Sequence, residues 1–221
     1  MPALWSPDGS SLAFVIATDG SYELYRKAAD LSGKEDLLYK VKFAAIPMNW
    51  LPGTQEVLLG GMGIDNRNAL IAVPVAPGSE ARKVVMDNIV WPRVSPNGRS
   101  LVYASFETSR SEIYVRSYPD GAGKVQVSVN GGMQPRWSRD GKEVFYIAPD
   151  GMLTAAEIQS SGPKLQIGRV QPLFGNLPAN NTGMNPYDVA PDGKRFLVAM
   201  QIAPTTAEAL VVVQNWQSGL K

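Results

Sequence analysis

Residues 134–146 read QPRWSRDGKEVFY: a short segment, an Asp-Gly corner, and a second segment that ends in Val-Phe-Tyr. Glycine has no Cβ atom and tolerates the positive φ of a tight corner, so Asp140-Gly141 predicts a hairpin turn. The Val-Phe-Tyr run at 144–146 consists of residue types that favour a half-buried β-strand. The stretch therefore predicts two antiparallel strands joined by a turn.

The same hairpin recurs along the chain. Four further copies, each with a Trp or Val, a turn that contains glycine and then an apolar run, start at Trp5, Trp50, Val94 and Val189. Together with Trp137, these origins lie 45, 44, 43 and 52 residues apart. A period of about 40–45 residues with several short strands is typical of β-propeller blades. We predict an all-β fold, a β-propeller of about five four-stranded blades with the last blade incomplete.

Each repeat divides into four predicted strands, A to D, with the glycine corner between A and B. We expect a single propeller domain over 1–221, with blades at about 1–42, 43–87, 88–130, 131–175 and 184–221. The first blade starts at strand A and the fifth lacks a strand D, so neither completes the other. Two arrangements stay open: a compact ring of five blades, or an arc of a larger propeller within a longer protein. Blade edges left open predict self-association.

The repeats also carry a family resemblance. Residues 5–14 follow the pattern WSPDGxxLxF, which resembles the TolB-like propeller repeats. Residues 112–116, 131–138, 187–196 and 211–216 (EIYVR, GGMQPRWS, YDVAPDGKRF and VVVQNW) look like the C-terminal propeller of bacterial receptor-type serine/threonine kinases. The resemblance implies a bacterial sensor or interaction module, extracytoplasmic in its parent protein. Kinase activity is not carried over, because the chain has no glycine-rich phosphate loop and no Asp-Phe-Gly motif.

Composition excludes several classes of function. The chain has no cysteine and no histidine, which removes thiolate catalysis, Ser-His-Asp chemistry and imidazole or thiolate metal sites. A net charge of +1 gives no electrostatic footprint for nucleic acid. No apolar run is long enough for a transmembrane helix, and no signal peptide precedes the first repeat. We therefore assign no catalytic residue, no metal ligand and no membrane insertion, and leave the compartment open.

Five residues hold the strand A position directly before the Trp or Val of their repeat, and apart from Leu4 they are polar or charged: Asn49, Arg93, Arg136 and Asp188. If strand A is the innermost strand, these side chains lie near the central channel. The two arginines together can bind a carboxylate or a phosphate through paired hydrogen bonds. The alternative is a structural network in which the arginines pair with Asp188 or with neighbouring carboxylates.

A second candidate surface lies on the loops at the other end of strand A. It includes Asp65, Asn66 and Asn68 in the glycine-rich loop 61–68, and Trp91 near the channel mouth. Oxygen donors of this kind suit calcium, although their spacing matches no EF-hand loop. The alternatives are a plain turn for the loop and core packing for Trp91. No cofactor is therefore assigned, with calcium kept as an option.

Two further residue sets repeat with the turns. Trp5, Trp50 and Trp137 occupy the same repeat position, which favours packing between blades. The aspartates of the Asp-Gly corners, Asp8, Asp140 and Asp192, resemble catalytic carboxylates only if their turn role is ignored.

These observations favour a non-catalytic propeller that binds a protein or a small ligand. The alternative is a hydrolase or lactonase-type enzyme that uses carboxylates, with or without calcium, in the channel.

Overall fold

The structure is a computed structural model, and it describes residues 3–62, 68–84, 89–161, 164–178, 186–199 and 210–213. Regular structure in these residues consists of nineteen β-strands, which confirms the all-β class. The described residues contain no helix that could cross a membrane. By its internal contacts the chain divides into two compact units, Met1–Gly98 and Arg99–Lys221. The prediction of one domain over 1–221 stays a prediction.

Unit 1 holds two antiparallel four-stranded sheets and one further strand. Its strands are β1 (Ala3–Trp5), β2 (Ser11–Thr18), β3 (Ser21–Ala28), β4 (Asp36–Val41), β5 (Ala44–Trp50), β6 (Glu56–Met62), β7 (Asn68–Pro74), β8 (Arg82–Lys83) and β9 (Val90–Val94). The sheet orders are β1-β2-β3-β4 and β5-β6-β7-β8, so each strand pairs with its neighbour in sequence. We call these sheets blade 1 and blade 2.

Unit 2 continues the same pattern. Its strands are β10 (Ser100–Ser105), β11 (Glu112–Ser117), β12 (Val125–Gln126), β13 (Met133–Trp137), β14 (Glu143–Ile147), β15 (Leu153–Ser161), β16 (Lys164–Phe174), β17 (Tyr187–Val189), β18 (Phe196–Ala199) and β19 (Leu210–Val213). Strands β10, β11 and β12 are successive neighbours in one sheet. Blade 4 has the order β13-β14-β15-β16, and blade 5 has the order β17-β18-β19.

The cores lie where the sheet of one blade faces the sheet of the next. In unit 1, blade 1 contributes buried residues such as Ala13 and Val15, and blade 2 contributes Trp50, Val57 and Leu59. In unit 2, one cluster joins blade 4 to blade 5; its fully buried phenylalanines, Phe145 and Phe196, meet edge to face with ring centroids 5.0 Å apart. Burial of apolar surface between sheets supplies the main driving force for this stacking.

The turn after strand A holds a glycine at positive φ in all five repeats, and in the second copy this glycine comes one position earlier, with the Thr54 amide donating the turn bond to the Leu51 carbonyl oxygen at 3.3 Å. Its glycine takes φ between 67° and 72° at Gly9, Gly53, Gly98, Gly141 and Gly193. In the first copy the Gly9 amide donates to the Ser6 carbonyl oxygen at 2.9 Å, and the fourth copy has the same bond at 3.0 Å. The glycine corner predicted from sequence is therefore confirmed in each repeat.

One packing expectation is wrong. Trp50 is 8% exposed, as predicted for a residue between blades, but Trp5 is 61% exposed. Its repeat position predicts a residue that another sheet covers, and no described residue provides that cover.

Candidate ligand-binding site

A β-bulge interrupts strand A just before the candidate residues. In β13 the register with β14 shifts between Met133 and Arg136, and in β5 the register with β6 shifts between Pro47 and Asn49. A bulge bends its strand and re-aims the side chain that follows, and bulges are frequent beside functional sites.

The backbone before both arginines is also strained. Gln134 has a φ of 53° and Trp91 has a φ of 50°, and each is followed by Pro-Arg. A left-handed conformation in a residue other than glycine costs on the order of 1–3 kcal/mol and persists only where the surroundings enforce it. Both residues are buried. A repeated Pro-Arg pair follows both left-handed residues. This pair is a sequence signal for the strained backbone, and sequence reasoning did not use it.

In unit 1 the candidate side chains contact their own neighbours. The Val94 amide donates to Oδ1 of Asn49 at 3.0 Å, so this amide side chain ties β5 to β9. Nη1 of Arg93 donates to the Pro92 carbonyl oxygen at 2.9 Å and lies 3.7 Å from the Met48 sulfur. Asn49 therefore has a structural role, and Arg93 is held against the strand from which it projects.

In unit 2 the structure brings Arg136 and Asp188 together. Nε of Arg136 lies 3.9 Å from Oδ1 of Asp188, too far for a hydrogen bond. The Arg136 side chain is 12% exposed, whereas the Asp188 side chain is 76% exposed. Oδ1 of Asp188 accepts a bond from the Val189 amide at 2.9 Å. The pair is thus a loose ion contact between a mostly covered cation and an anion that faces solvent.

The guanidinium of Arg136 has unused donor capacity. Its Nη1 atom is buried and has no hydrogen-bond partner among the described residues. An unsatisfied buried donor costs about 1–3 kcal/mol, and more when the group is charged. A ligand acceptor that bonds to Nη1 beside Asp188 removes this cost, so the binding of such an acceptor is favourable.

Tyr187 hydrogen-bonds to the segment that contains the strained residue Gln134. Its hydroxyl oxygen lies 2.9 Å from the Gln134 carbonyl oxygen and 3.0 Å from that of Phe145. One hydroxyl proton serves these two acceptors, and Tyr187 is only 3% exposed. The bond fixes the peptide unit that precedes Pro135-Arg136. Sequence reasoning did not assign Tyr187 this role, because nothing local to it indicates a partner 53 residues away.

The loop candidates are only partly visible. Asp65 and Asn66 lie outside the described residues, and of Asn68 only the backbone at the start of β7 is described. Trp91 lies inside β9 at 8% exposure rather than on a loop. The described residues hold no group of three or more carboxylates close enough for a metal ion. A cavity of about 420 Å³ does lie on the loop side of unit 2, lined by residues that include Asn130, Tyr146 and Val170.

The corner aspartates are engaged in turn hydrogen bonds. Oδ1 of Asp8 accepts from the Ser6 hydroxyl at 2.6 Å and from the Ser10 amide at 3.0 Å. These bonds lower the pKa of Asp8 to about 2. Hydrogen bonds from Ser138 and the Lys142 amide lower the pKa of Asp140 in the same way. The turn role predicted for these carboxylates accounts for their contacts.

A different carboxylate has an unfavourable environment. Burial is the main cause that raises the pKa of Glu143, with the charges of Asp140 and Glu157 adding to it. Glu143 and Glu157 stand directly opposite each other on β14 and β15. Like charges in that position destabilise a sheet.

A third carboxylate, Glu112, is 1% exposed and fully bonded. It accepts hydrogen bonds from Arg110 at 2.6 Å, from the Gly131 amide at 3.0 Å and from the Ser128 hydroxyl. Its negative charge and burial together raise the pKa of Tyr146 to about 12, with burial the larger cause. This network fixes the loop between β12 and β13.

Comparisons with known proteins locate the fold. No protein-family model matches the chain, and a comparison with curated protein sequences gives no match. Among solved structures, TolB from Acinetobacter baumannii matches with a TM-score of 0.71 and 14% identity over 94% of this chain and 51% of its own. An oligogalacturonate lyase in complex with manganese matches with a TM-score of 0.63 and 14% identity over 97% of this chain and 65% of its own.

The β-propeller domain of Cps50 (Swd1) from Myceliophteria thermophila matches with a TM-score of 0.61 and 10% identity, over 96% of this chain and 68% of that one. The chain thus spans about half the length of the TolB structure and about two thirds of the other two. At these identities the likeness concerns the fold alone. Sheets that join sequence neighbours, one corner repeated five times and these neighbours together identify a TolB-like β-propeller fold.

Proposed function

We propose that the chain is a non-catalytic binding module that holds a protein or small ligand through a carboxylate of that ligand at Arg136. The single observation that carries the proposal is the buried Nη1 atom of Arg136, which has no hydrogen-bond partner among the described residues. A guanidinium offers a fork of donors that matches a carboxylate, and such charge-assisted bonds are stronger than neutral ones.

Two features of the site support this assignment. The bulge and the left-handed Gln134 fix the direction of the arginine before any ligand arrives, which lowers the entropy cost of binding. Asp188 stands on the solvent side at 3.9 Å, where it attracts the cation without satisfying it. A ligand carboxylate competes with Asp188 for the same charge.

The test measures the binding of acetate, and separately of inorganic phosphate, by isothermal titration calorimetry in the wild type and the variants, and it follows the Arg136 Nε–Hε signal by ¹⁵N NMR in the proteins that keep this arginine. We expect a saturable shift of that signal with acetate, and Arg136→Gln should weaken binding about tenfold or more. Asp188→Asn should strengthen it, because the competing anion is removed. Arg195→Gln is the matched control, since that exposed arginine already pairs with Asp192 at 2.8 Å. Acetate binding that is equally tight in the Arg136→Gln protein, or a shift that is absent from the wild type, contradicts the proposal.

The finer resemblance to propellers of bacterial receptor-type kinases extends this proposal to a sensory or interaction module of a longer protein. The chain spans about half of the TolB structure that it matches, which accords with a part of a larger whole. Binding of a periplasmic extract protein to the immobilised chain, competed by acetate, would support that role.

A carboxylate-dependent enzyme is the second candidate, because an oligogalacturonate lyase has the same fold. It predicts turnover of a lactone or a uronic-acid polymer that a chelator or a single Asp→Asn substitution abolishes. Turnover that survives both treatments contradicts a carboxylate or metal mechanism, and the absence of turnover with these substrates favours the binding module.

A further inference from the structure

The cavity of about 420 Å³ in unit 2 lies on one face of blade 4. Tyr146 of β14 and Val170 of β16 line it, and the strand pairing through β15 places both residues on the same face of the sheet. Arg136 pairs with Phe145, the residue before Tyr146, so Arg136 belongs to the opposite face. The residues that line the cavity all belong to unit 2, and they are separate from the candidate site at Arg136.

Two glycines allow the loop after β12 to form one wall of this cavity. A Cβ atom at Gly131 would lie 2.8 Å from Cγ of Pro149, and one at Gly132 would lie 2.8 Å from Cδ2 of Tyr146. The loop backbone therefore packs directly against these two rings, and the bond from the Gly131 amide to Glu112 holds it there. Walls that are in place before a ligand arrives lower the entropy cost of binding.

The cavity has exposed apolar side chains. Val129 is 72% exposed and Val170 is 42% exposed, and Ala148 and Pro149 line the cavity with them. An aliphatic ligand group that packs on these side chains removes apolar surface from water, which favours binding. The volume falls within the range of roughly 300–1,000 Å³ that is typical of small-ligand sites.

Asp150 adds a negative charge to the cavity. Its Oδ1 atom accepts a hydrogen bond from the Met152 amide at 3.0 Å, and within the described part of the chain no lysine or arginine forms an ion pair with it. Arg110 donates to the Val129 carbonyl oxygen at 2.8 Å, but this arginine is already paired with Glu112 at 2.6 Å. The charge of Asp150 therefore suits a ligand cation, and a charge-assisted bond of that kind is strong.

Tyr146 adds a hydroxyl donor. The residue is 4% exposed, and its hydroxyl has no hydrogen-bond partner among the ranges that the structure describes. Burial and, to a smaller extent, Glu112 raise the pKa of Tyr146 to about 12, so the phenol keeps its proton at neutral pH. A carbonyl oxygen of a ligand is a suitable acceptor for this donor.

A cation, a carbonyl oxygen and a side chain stand around one carbon atom at the start of every peptide. We propose that the cavity binds the free amino terminus of a peptide whose first side chain is aliphatic. Asp150 binds the ammonium group, Tyr146 donates to the first carbonyl oxygen, and Val129 and Val170 contact the side chain. Capture of a terminal amine is a known mode of peptide recognition. The ligand group is opposite in charge to the carboxylate proposed at Arg136, so the two sites are independent.

The test uses L-leucinamide, which has the ammonium group, the carbonyl and an aliphatic side chain but no carboxylate that could bind at Arg136. ¹H–¹⁵N NMR of the intact chain follows the backbone amide of Asn130, a residue that lines the cavity, during the titration. We expect a saturable shift of this signal. N-acetyl-L-leucinamide lacks the charge and glycinamide lacks the side chain, so each should bind about tenfold more weakly.

Three variants assign the contacts. Asp150→Asn keeps the turn acceptor and removes the charge, so leucinamide should bind about tenfold more weakly while N-acetyl-leucinamide is unaffected. Tyr146→Phe should weaken both ligands, because both have the carbonyl. Asp120→Asn is the matched control, because Oδ1 of Asp120 accepts the Ala122 amide at 3.2 Å in an exposed turn outside the cavity. This control should bind leucinamide as the wild type does.

Several outcomes would overturn the proposal. An Asn130 signal that does not move with leucinamide in the wild type excludes the site. Equal binding of leucinamide and its N-acetyl form, or equal weakening by Asp150→Asn and Asp120→Asn, excludes recognition of the amino terminus by Asp150. Equal binding of glycinamide excludes the aliphatic side chain as part of the ligand. None of these results bears on acetate binding at Arg136.

Discussion

The hydroxyl of Tyr187 lies 2.9 Å from the carbonyl oxygen of Gln134, a residue that holds a φ of 53°. The contact joins two blades at the point where the backbone is strained. It also fixes the peptide unit that precedes Pro135-Arg136. The phenolic hydroxyl of Tyr187 in blade 5 therefore helps to orient the guanidinium of Arg136 in blade 4.

Tyr187→Phe removes this bond and leaves the ring in place. We expect a loss of about 1–2 kcal/mol in the free energy of unfolding, because two buried carbonyl oxygens lose their donor. Denaturant unfolding measures that loss. Acetate binding at Arg136 should weaken in the same variant, and unchanged stability with unchanged binding would contradict the positioning role.

Gly61→Ala should destabilise unit 1. A Cβ atom at Gly61 would lie 1.8 Å from the Ala44 carbonyl oxygen, a backbone atom of the paired strand. Strands must separate to admit it, at a cost of roughly 1–3 kcal/mol or more. Gly60→Ala is the matched control, because there the nearest atoms belong to the flexible Met48 side chain, the closest at 3.1 Å. Thermal unfolding of the two variants should differ by several degrees, and equal midpoints would contradict this account.

Glu143→Gln should stabilise the protein at neutral pH. Burial, Asp140 and Glu157 raise the pKa of Glu143, so the folded state favours the protonated carboxyl. This group therefore contributes stability below its ordinary pKa, and the contribution is lost as pH rises through the raised pKa. Relief of the cross-strand repulsion is worth about 0.2–1 kcal/mol. The gain over wild type, measured by denaturant unfolding, should vanish in acid; a gain that persists there would contradict the charge explanation.

Asp8→Asn should change stability in the opposite range of pH. Bonds from Ser6 and Ser10 lower the pKa of Asp8 from 3.8 to about 2. Stability from this carboxylate is present above the ordinary pKa and is lost as pH falls from 3.8 toward 2. The variant should thus be less stable than wild type near neutrality and nearly equal to it at the acid end. Ser6→Ala removes the first of these donors and should reproduce part of the effect.

Much of the fold follows from local signals. The strands Ala44–Trp50, Ser100–Ser105 and Glu143–Ile147 have the bounds that the alternation of residues and the glycine corners predict. The glycines in the sequence predict the positions of the corners, because only glycine adopts this positive φ without strain. The sequence predicts strands at Met152–Ile158 and Arg169–Phe174, but β15 runs on to Ser161 and β16 begins at Lys164, since the polar residues near the tip of this hairpin look like loop residues in the sequence.

The sequence predicted less of the candidate site than of the fold. Arg136 and Asp188 hold the same position in their repeats, and their pairing was one of two alternatives that this position left open; the structure brings them within 3.9 Å. The left-handed Gln134 and its bond to Tyr187 arise from packing between strands that are distant in sequence, and no single segment encodes them. The predicted burial of Trp5 was wrong for a related reason. The repeat that contains Trp5 specifies an apolar sheet face, but residues outside that repeat decide whether another sheet covers this face.

The glycine corner that follows strand A in each repeat has a consequence for how such a protein changes over generations. A cut at the same glycine in two repeats removes or inserts one whole blade and leaves every remaining turn intact. Gene duplication and unequal recombination can therefore lengthen or shorten the chain in steps of a blade.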